Sequence, residues 1–208
     1  PAPPASPPLQ PPPFANHTLV LKNGAKIDIV VGILGIIRDA RTAFDPFAPD
    51  RGEPVYDPAF NLTDPAAQVA LSDFCDDLEV SEEISVLDRC VIRSFFDWAM
   101  LTGIDVPIPP DEFIPLLTYF LAFTNNGYWG RRYDIGFDGE GNILYMRIAA
   151  TTSYPEVLSS KELRSEYNGW VAYIENATAN FPPSAGTVIP VSNLWTRMVT
   201  EEEAVSCI

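Results

Sequence analysis

Soft metal ligands are scarce in this chain of 208 residues: it has one histidine, three cysteines and no Cys-x-x-Cys pair. That leaves too few thiolates and imidazoles for a structural zinc site or an iron–sulfur cluster. Basic residues are few as well, 13 against 28 acidic ones, for a net charge of -15. With no cationic face to neutralise phosphates, nucleic acid and anionic lipid surfaces are poor partners, and no nucleic acid is expected. The longest strongly apolar run, residues 29–37, falls well short of the ~20 residues of a membrane helix. The chain opens on proline and shows no signal peptide, so it reads as a piece of a longer protein or a processed product. What remains is ordinary globular composition, 47% hydrophobic and 20% charged, with length for one large domain or two small ones.

Enzyme chemistry finds no foothold. The lone histidine, His17, sits in a proline-dense start and inside a glycosylation sequon. A serine or cysteine nucleophile is therefore left without an imidazole to activate it. Gly32-Ile33-Leu34-Gly35 lacks the third glycine and the Lys-Ser/Thr of a phosphate loop, and close backbone packing explains its glycines better. Asp73, Asp76, Asp77, Glu79, Glu82 and Glu83 form the densest acidic stretch, read as solvated charge at a helix start rather than a cation site. No enzyme activity, cofactor or metal is expected.

Residues 1–24 form a linker or stalk of polyproline character. The β-branched segment Ala25 to Ile37 predicts one buried strand. Residues 39–65 are irregular, with repeated X-Pro pairs. A short helix follows from Asp64 to Leu78, with Val69, Leu71 and Phe74 facing inward. The apolar series Ile84, Leu87, Val91, Phe95, Trp98, opened by Ser81-Glu82-Glu83, predicts a second helix over residues 84–101. Asp111 caps the next, on the stripe Phe113, Leu116, Leu117, Phe120, Leu121. Residues 131–137 and 143–151 then form a hairpin across Asp138-Gly139-Glu140-Gly141-Asn142, whose spacing does not fit a calcium loop. Ser159 and Glu162 make a capping box for a helix through Leu163, Tyr167, Trp170 and Ile174. A last strand over residues 187–191 and a helix over residues 193–205 complete the chain.

With insertions set aside, this order is the split βαβ pattern of a ferredoxin-like α+β sandwich, an antiparallel sheet with helices on one face. Right-handed crossovers place the first strand beside the third and the last on the other side of the first. The expected division is a stalk at 1–24, a ferredoxin-like domain at 25–194 with an insertion at about 39–83, and an exit segment at 195–208.

Three sequons, at Asn16, Asn61 and Asn176, make these asparagines candidate glycosylation sites. Cys75 and Cys90 are close enough in sequence for an oxidising compartment to bridge them, the alternative being buried free thiols. Tyr128 and Trp129, between Gly127 and Gly130, are a candidate contact surface.

The strand Ile27-Asp28-Ile29-Val30-Val31-Gly32-Ile33, the segment Tyr56-Asp57-Pro58-Ala59-Phe60-Asn61-Leu62, Phe74-Cys75 with Cys90 in helices, the hairpin and capped helix, and Trp195 before Thr200-Glu201-Glu202-Glu203-Ala204 together resemble an extracellular porter-type domain of the eukaryotic RND superfamily, closest to Dispatched with its Patched and Niemann-Pick C1 relatives. The resemblance covers roughly residues 26–208. It implies a ferredoxin-like ectodomain on the extracellular or lumenal side of a membrane, joined to the bilayer by flanking helices outside this sequence. It further implies transport or export of lipid, sterol or lipid-modified protein cargo, with a second ectodomain of the same transporter as partner. The proline-rich start and single candidate disulfide depart from the animal members. A secreted or cell-surface glycoprotein module for adhesion, with the proline-rich segment as its stalk, is the competing expectation.

Overall fold

The computed structural model describes residues 24–37, 52–123, 134–155 and 158–206. Strands β1 (Gly24–Val31), β2 (Ile33–Ile37) and β3 (Glu53–Tyr56) precede helix α1 (Pro65–Val80). Then come β4 (Ile84–Arg89), α2 (Val91–Leu101), α3 (Pro110–Phe123), β5 (Ile135–Phe137) and β6 (Ile143–Pro155). The chain continues through α4 (Ser160–Ala177), β7 (Val188–Val191) and α5 (Asn193–Ser206). This is a mixed α+β fold. The main sheet runs β4-β6-β1-β7 with β5 also on β6, and each pairing is antiparallel. Ala150 pairs with both Ile27 and Leu87, and Met146 with both Val31 and Ile135. Strands β4 and β5 therefore lie end to end along one side of β6, and β1 takes the other.

Alternation decides which side is buried. Ala25, Ile27, Ile29 and Val31 of β1 are inside, and their partners Ile148 and Met146 on β6 join the same core. Leu71, Phe74 and Leu78 of α1 and Leu163, Trp170 and Ile174 of α4 close it. The intervening positions Lys26, Asp28 and Arg147 carry polar, at least partly exposed side chains on the opposite face, the pattern of an antiparallel sheet with one wetted face.

Several elements depart from the sequence-based expectation. The single strand predicted over Ala25 to Ile37 is two. Gly32 adopts φ +86°, and a Cβ there would lie 2.5 Å from the Phe60 ring and 2.8 Å from the Leu144 carbonyl oxygen. The backbone breaks at this glycine, and β2 turns away to pair with β3 as a separate ribbon. The helix predicted over residues 84–101 is strand β4 followed by α2. Ile84, Val86 and Leu87 pair with β6, and Ser81 ends α1, its N–H donating to the Leu78 carbonyl. Spacings of three and four permitted a helix, but pairing with β6 overrode that local preference. Val69, expected inside, is exposed. Asp111 lies within the first turn of α3 rather than capping it, and the Pro109 carbonyl accepts from Glu112 and Phe113 N–H.

Other signals held. The Ser159–Glu162 capping box is formed. The Asp138 turn closes on itself, its Oδ1 accepting from the N–H of Glu140 and of Asn142 at 2.8 Å each. The strands expected over residues 143–151 and 187–191, here β6 and β7, flank β1.

Register fixes a polarity for the domain. Gly24 lies opposite Pro155, and Asp28 opposite the last residue of β7. Strand β1 thus starts at the end of the sheet where β6 finishes, α4 begins and α5 departs. At the far end lie Gly32, whose N–H donates to the Thr187 carbonyl, and Asn61, whose N–H donates to the Ser184 carbonyl.

Asp57 fastens that far end. Although burial alone would raise its pKa, its carboxylate accepts from Ala59 N–H at 2.9 Å and from Thr187 N–H and Oγ1 at 2.7 and 2.8 Å, and the net shift is below the ordinary carboxylate value. A pKa depressed on folding contributes stability that is present above the unfolded value, ~3.9, and lost as pH falls from there through the lower folded value. Urea midpoints measured from about pH 5 down to pH 2 should fall more steeply for the wild type than for Asp57→Asn. Parallel curves would show that Asp57 carries none of the acid limb.

Candidate functional site

Strand β7 ends the sheet and sets up a groove. A proline has no N–H for a ladder, so Pro190, opposite Ile29, turns its nitrogen to the open edge. Ser192 then fixes the passage into α5, its hydroxyl donating to the Lys26 carbonyl at 2.8 Å and accepting from Leu194 N–H at 3.3 Å. This aims Trp195 and Met198 of α5 back under α4, where Trp195 meets Tyr167 edge to face at 5.2 Å between ring centres.

Between β7, α4 and α5 lies an open groove of about 410 Å³, mostly apolar, with Val191 and Val199 on its exposed walls and buried Met198 among its lining residues. Arg164 is the only charged side chain among the described lining residues. Its guanidinium sits 5.8 Å from the Tyr167 ring centre and pairs with Glu202. That pairing raises the Arg164 pKa and lowers that of Glu202. Ser160 to Glu201, and Arg197 Nη2 to the Leu158 carbonyl at 2.9 Å, add further ties from α5 to α4 and the segment before it. The described lining holds no histidine, cysteine or carboxylate. Its chemistry is that of holding an apolar body, with the hydroxyls of Tyr167, Ser192 and Thr196 and one guanidinium among its lining groups. No family model matches the chain, and no curated protein matches it.

The polar face of the sheet carries a second cluster. Asp134 has no exposed surface. Its Oδ1 accepts from Arg147 Nε at 3.0 Å and Nη2 at 2.8 Å, and Arg89 Nε stands 3.5 Å from Oδ2. Burial pulls the Arg147 pKa down, but the hydrogen bonds to Asp134 and the nearby Asp28 carboxylate more than offset it. Among the described residues nothing donates to Oδ2, and Asp134 borders a cavity of about 200 Å³ with Arg89, Arg93 and Asp97. The arrangement ties the start of β5 to β4 and β6.

Among the sequence-based candidates, Cys75 and Cys90 are joined as a disulfide, both cysteines buried. The bond links α1 to the residue that precedes α2. Beside it, Arg93 pairs with Asp76 at 3.0 Å and with Glu79, so two members of the acidic stretch tie α1 to α2. Among the described residues, no group of three or more histidines, cysteines or acids is placed to hold a metal ion. Asn61 and Asn176 are exposed. Asn16, Tyr128 and Trp129 lie outside the described residues. Sequence reading gave the groove no role: Tyr167 counted only as part of a core stripe, and Trp195 as part of the exit segment. The usable signal was Val-Ile-Pro-Val running into Asn-Leu-Trp-Thr-Arg-Met, apolar residues on both sides of a proline-bearing edge strand.

Proposed function

We propose that this chain is the water-facing ectodomain of an RND-superfamily transporter that exports lipid, sterol or lipid-modified cargo, on the extracellular or lumenal side of the membrane. In this reading residues 25–194 form a ferredoxin-like unit, with β1, β4, β6 and β7 as its four strands and α1 and α4 as its crossover helices. The strand order β4-β6-β1-β7 supports it, since it is the order 2-3-1-4 of a split βαβ pair. The β2–β3 ribbon and the α2–α3–β5 stretch are then insertions. The Cys75–Cys90 bond supports the compartment. Among the described residues no helix is long and apolar enough to cross a membrane, so the membrane helices of such a transporter lie elsewhere in its chain.

The observation that carries the reading is the apolar groove at the end of the sheet where β1 starts and α5 departs. An open trough of this kind is half of an enclosure, completed by the partner ectodomain of the same transporter. Domain interfaces favour such sites. Export by the full-length protein is the test. Val199 is exposed on the groove wall, so Val199→Asp should leave the fold intact while placing a carboxylate against the cargo, lowering export about tenfold or more. The isolated domain should bind sterol only weakly. Unchanged export by the variant, or tight stoichiometric sterol binding by the domain alone, would count against the shared conduit.

A further inference from the structure

The two described sequons differ in where the threonine hydroxyl goes. In Asn61-Leu62-Thr63 the Thr63 Oγ1 donates to Asn61 Oδ1 at 2.8 Å, and Thr63 N–H donates to the same oxygen at 3.1 Å. Among the described residues nothing accepts from Asn61 Nδ2, and the side chain is exposed. In Asn176-Ala177-Thr178 the asparagine stands in the last turn of α4. The Thr178 Oγ1 donates instead to the Ile174 carbonyl at 2.8 Å, with Thr178 N–H on the same oxygen at 2.9 Å. One hydroxyl serves the asparagine amide; the other closes a helix.

We propose that Asn61 is an N-glycan acceptor and that Asn176 is a poor one, a proposal that rests on the extracellular or lumenal placement above. The donor is an oligosaccharide carried on a lipid pyrophosphate. A bond forms between Asn61 Nδ2 and C1 of the first sugar as the C1–O bond to the pyrophosphate breaks. The lipid pyrophosphate leaves with that electron pair, and one Nδ2 proton passes to a base of the transferase. As the amide gives up its proton, negative charge grows on Oδ1, where two donors already point, and preorganised donors aimed at developing charge lower such a barrier. These bonds span two residues, so they require no tertiary contact. At Asn176 the helical backbone and the committed hydroxyl withhold both donors.

Placement agrees with this chemistry. Asn61 N–H meets the Ser184 carbonyl at the far end of the sheet, and Asn176 lies near the end of α4 that points the same way, whereas Arg164 and Tyr167 of the groove lie toward its start. A glycan at Asn61 therefore leaves the groove open.

Peptide-level mass analysis of the full-length protein purified from the cells that make it, with and without enzymatic removal of N-glycans and without reduction, decides the matter. The Asn61 peptide should carry glycan on most molecules and the Asn176 peptide on several-fold fewer. Thr63→Ala should empty Asn61, Thr63→Ser should restore it in part, and Asn176→Gln should leave the Asn61 peptide unchanged. Equal occupancy at the two sites overturns the proposal. So does a bare Asn61 in protein whose Cys75–Cys90 bond is intact, which leaves the compartment reading standing. A bare Asn61 together with free Cys75 and Cys90 thiols overturns both.

Discussion

Asp134→Ala should lower the unfolding free energy by about 3 kcal/mol, toward the lower end of the range for breaking a buried ion pair. The carboxylate has no exposed surface, and removing it strands the Arg147 guanidinium, which is 26% exposed, and leaves Arg89 without this counter-charge. Water reaching Arg147 is what keeps the loss from being larger. Asp134→Asn preserves the volume and one acceptor and should lose roughly half as much. Replacing both partners, Asp134→Leu with Arg147→Met, should recover much of the loss, because two charges no longer have to be desolvated. Urea midpoints at an unchanged slope give all three numbers. An Asp134→Ala variant within about 0.5 kcal/mol of wild type, the range of ordinary surface changes, would mean that water already satisfies the pair.

Removing the disulfide is the second large effect. With Cys75 and Cys90 separated by 15 positions in the chain, loop-closure entropy gives a stabilisation of about 3 kcal/mol. For a domain of this size that corresponds to a fall in Tm of about 6–12 °C. Cys75→Ala with Cys90→Ala should show it, and reduction of the wild type should reproduce the shift while leaving the double variant unmoved. If reduction moves neither protein, the acidic pairs that Arg93 makes with Asp76 and Glu79 already hold α1 to α2.

What could be read from the sequence follows from how local its causes are. The α4 helix was legible because its cap, Ser159 with Glu162, and its stripe of Leu163, Trp170 and Ile174 lie within one stretch. The hairpin was legible because Asp138 closes its own turn. Strand β4 was not, since Ile84, Leu87 and Val91 satisfy helical spacing, and the residues that pull it straight, Ala149 to Thr152, lie sixty or more positions from their partners. The departure of β2 hinges on Gly32, which has a positive φ and where Phe60 and the Leu144 carbonyl, both remote in sequence, leave no room for a Cβ. The disulfide stood as one of two alternatives because spacing permits a bridge without requiring it. The groove and the Asp134 cluster were illegible for the same reason as β4. Tyr167, Val191 and Trp195 meet only once α4, β7 and α5 are assembled, and Arg89, Asp134 and Arg147 come from the end of β4, the approach to β5 and the interior of β6.

Pro190 has a bearing on behaviour in concentrated solution. A ladder grows sideways only where successive amide hydrogens face outward, and at the margin beyond β1 that succession is interrupted at its middle. Copies of the domain that collide along this margin cannot zip into an extending fibril there. Contact on that flank is left to interlocking side chains, which permits pairing with one shape-matched neighbour and withholds open-ended growth.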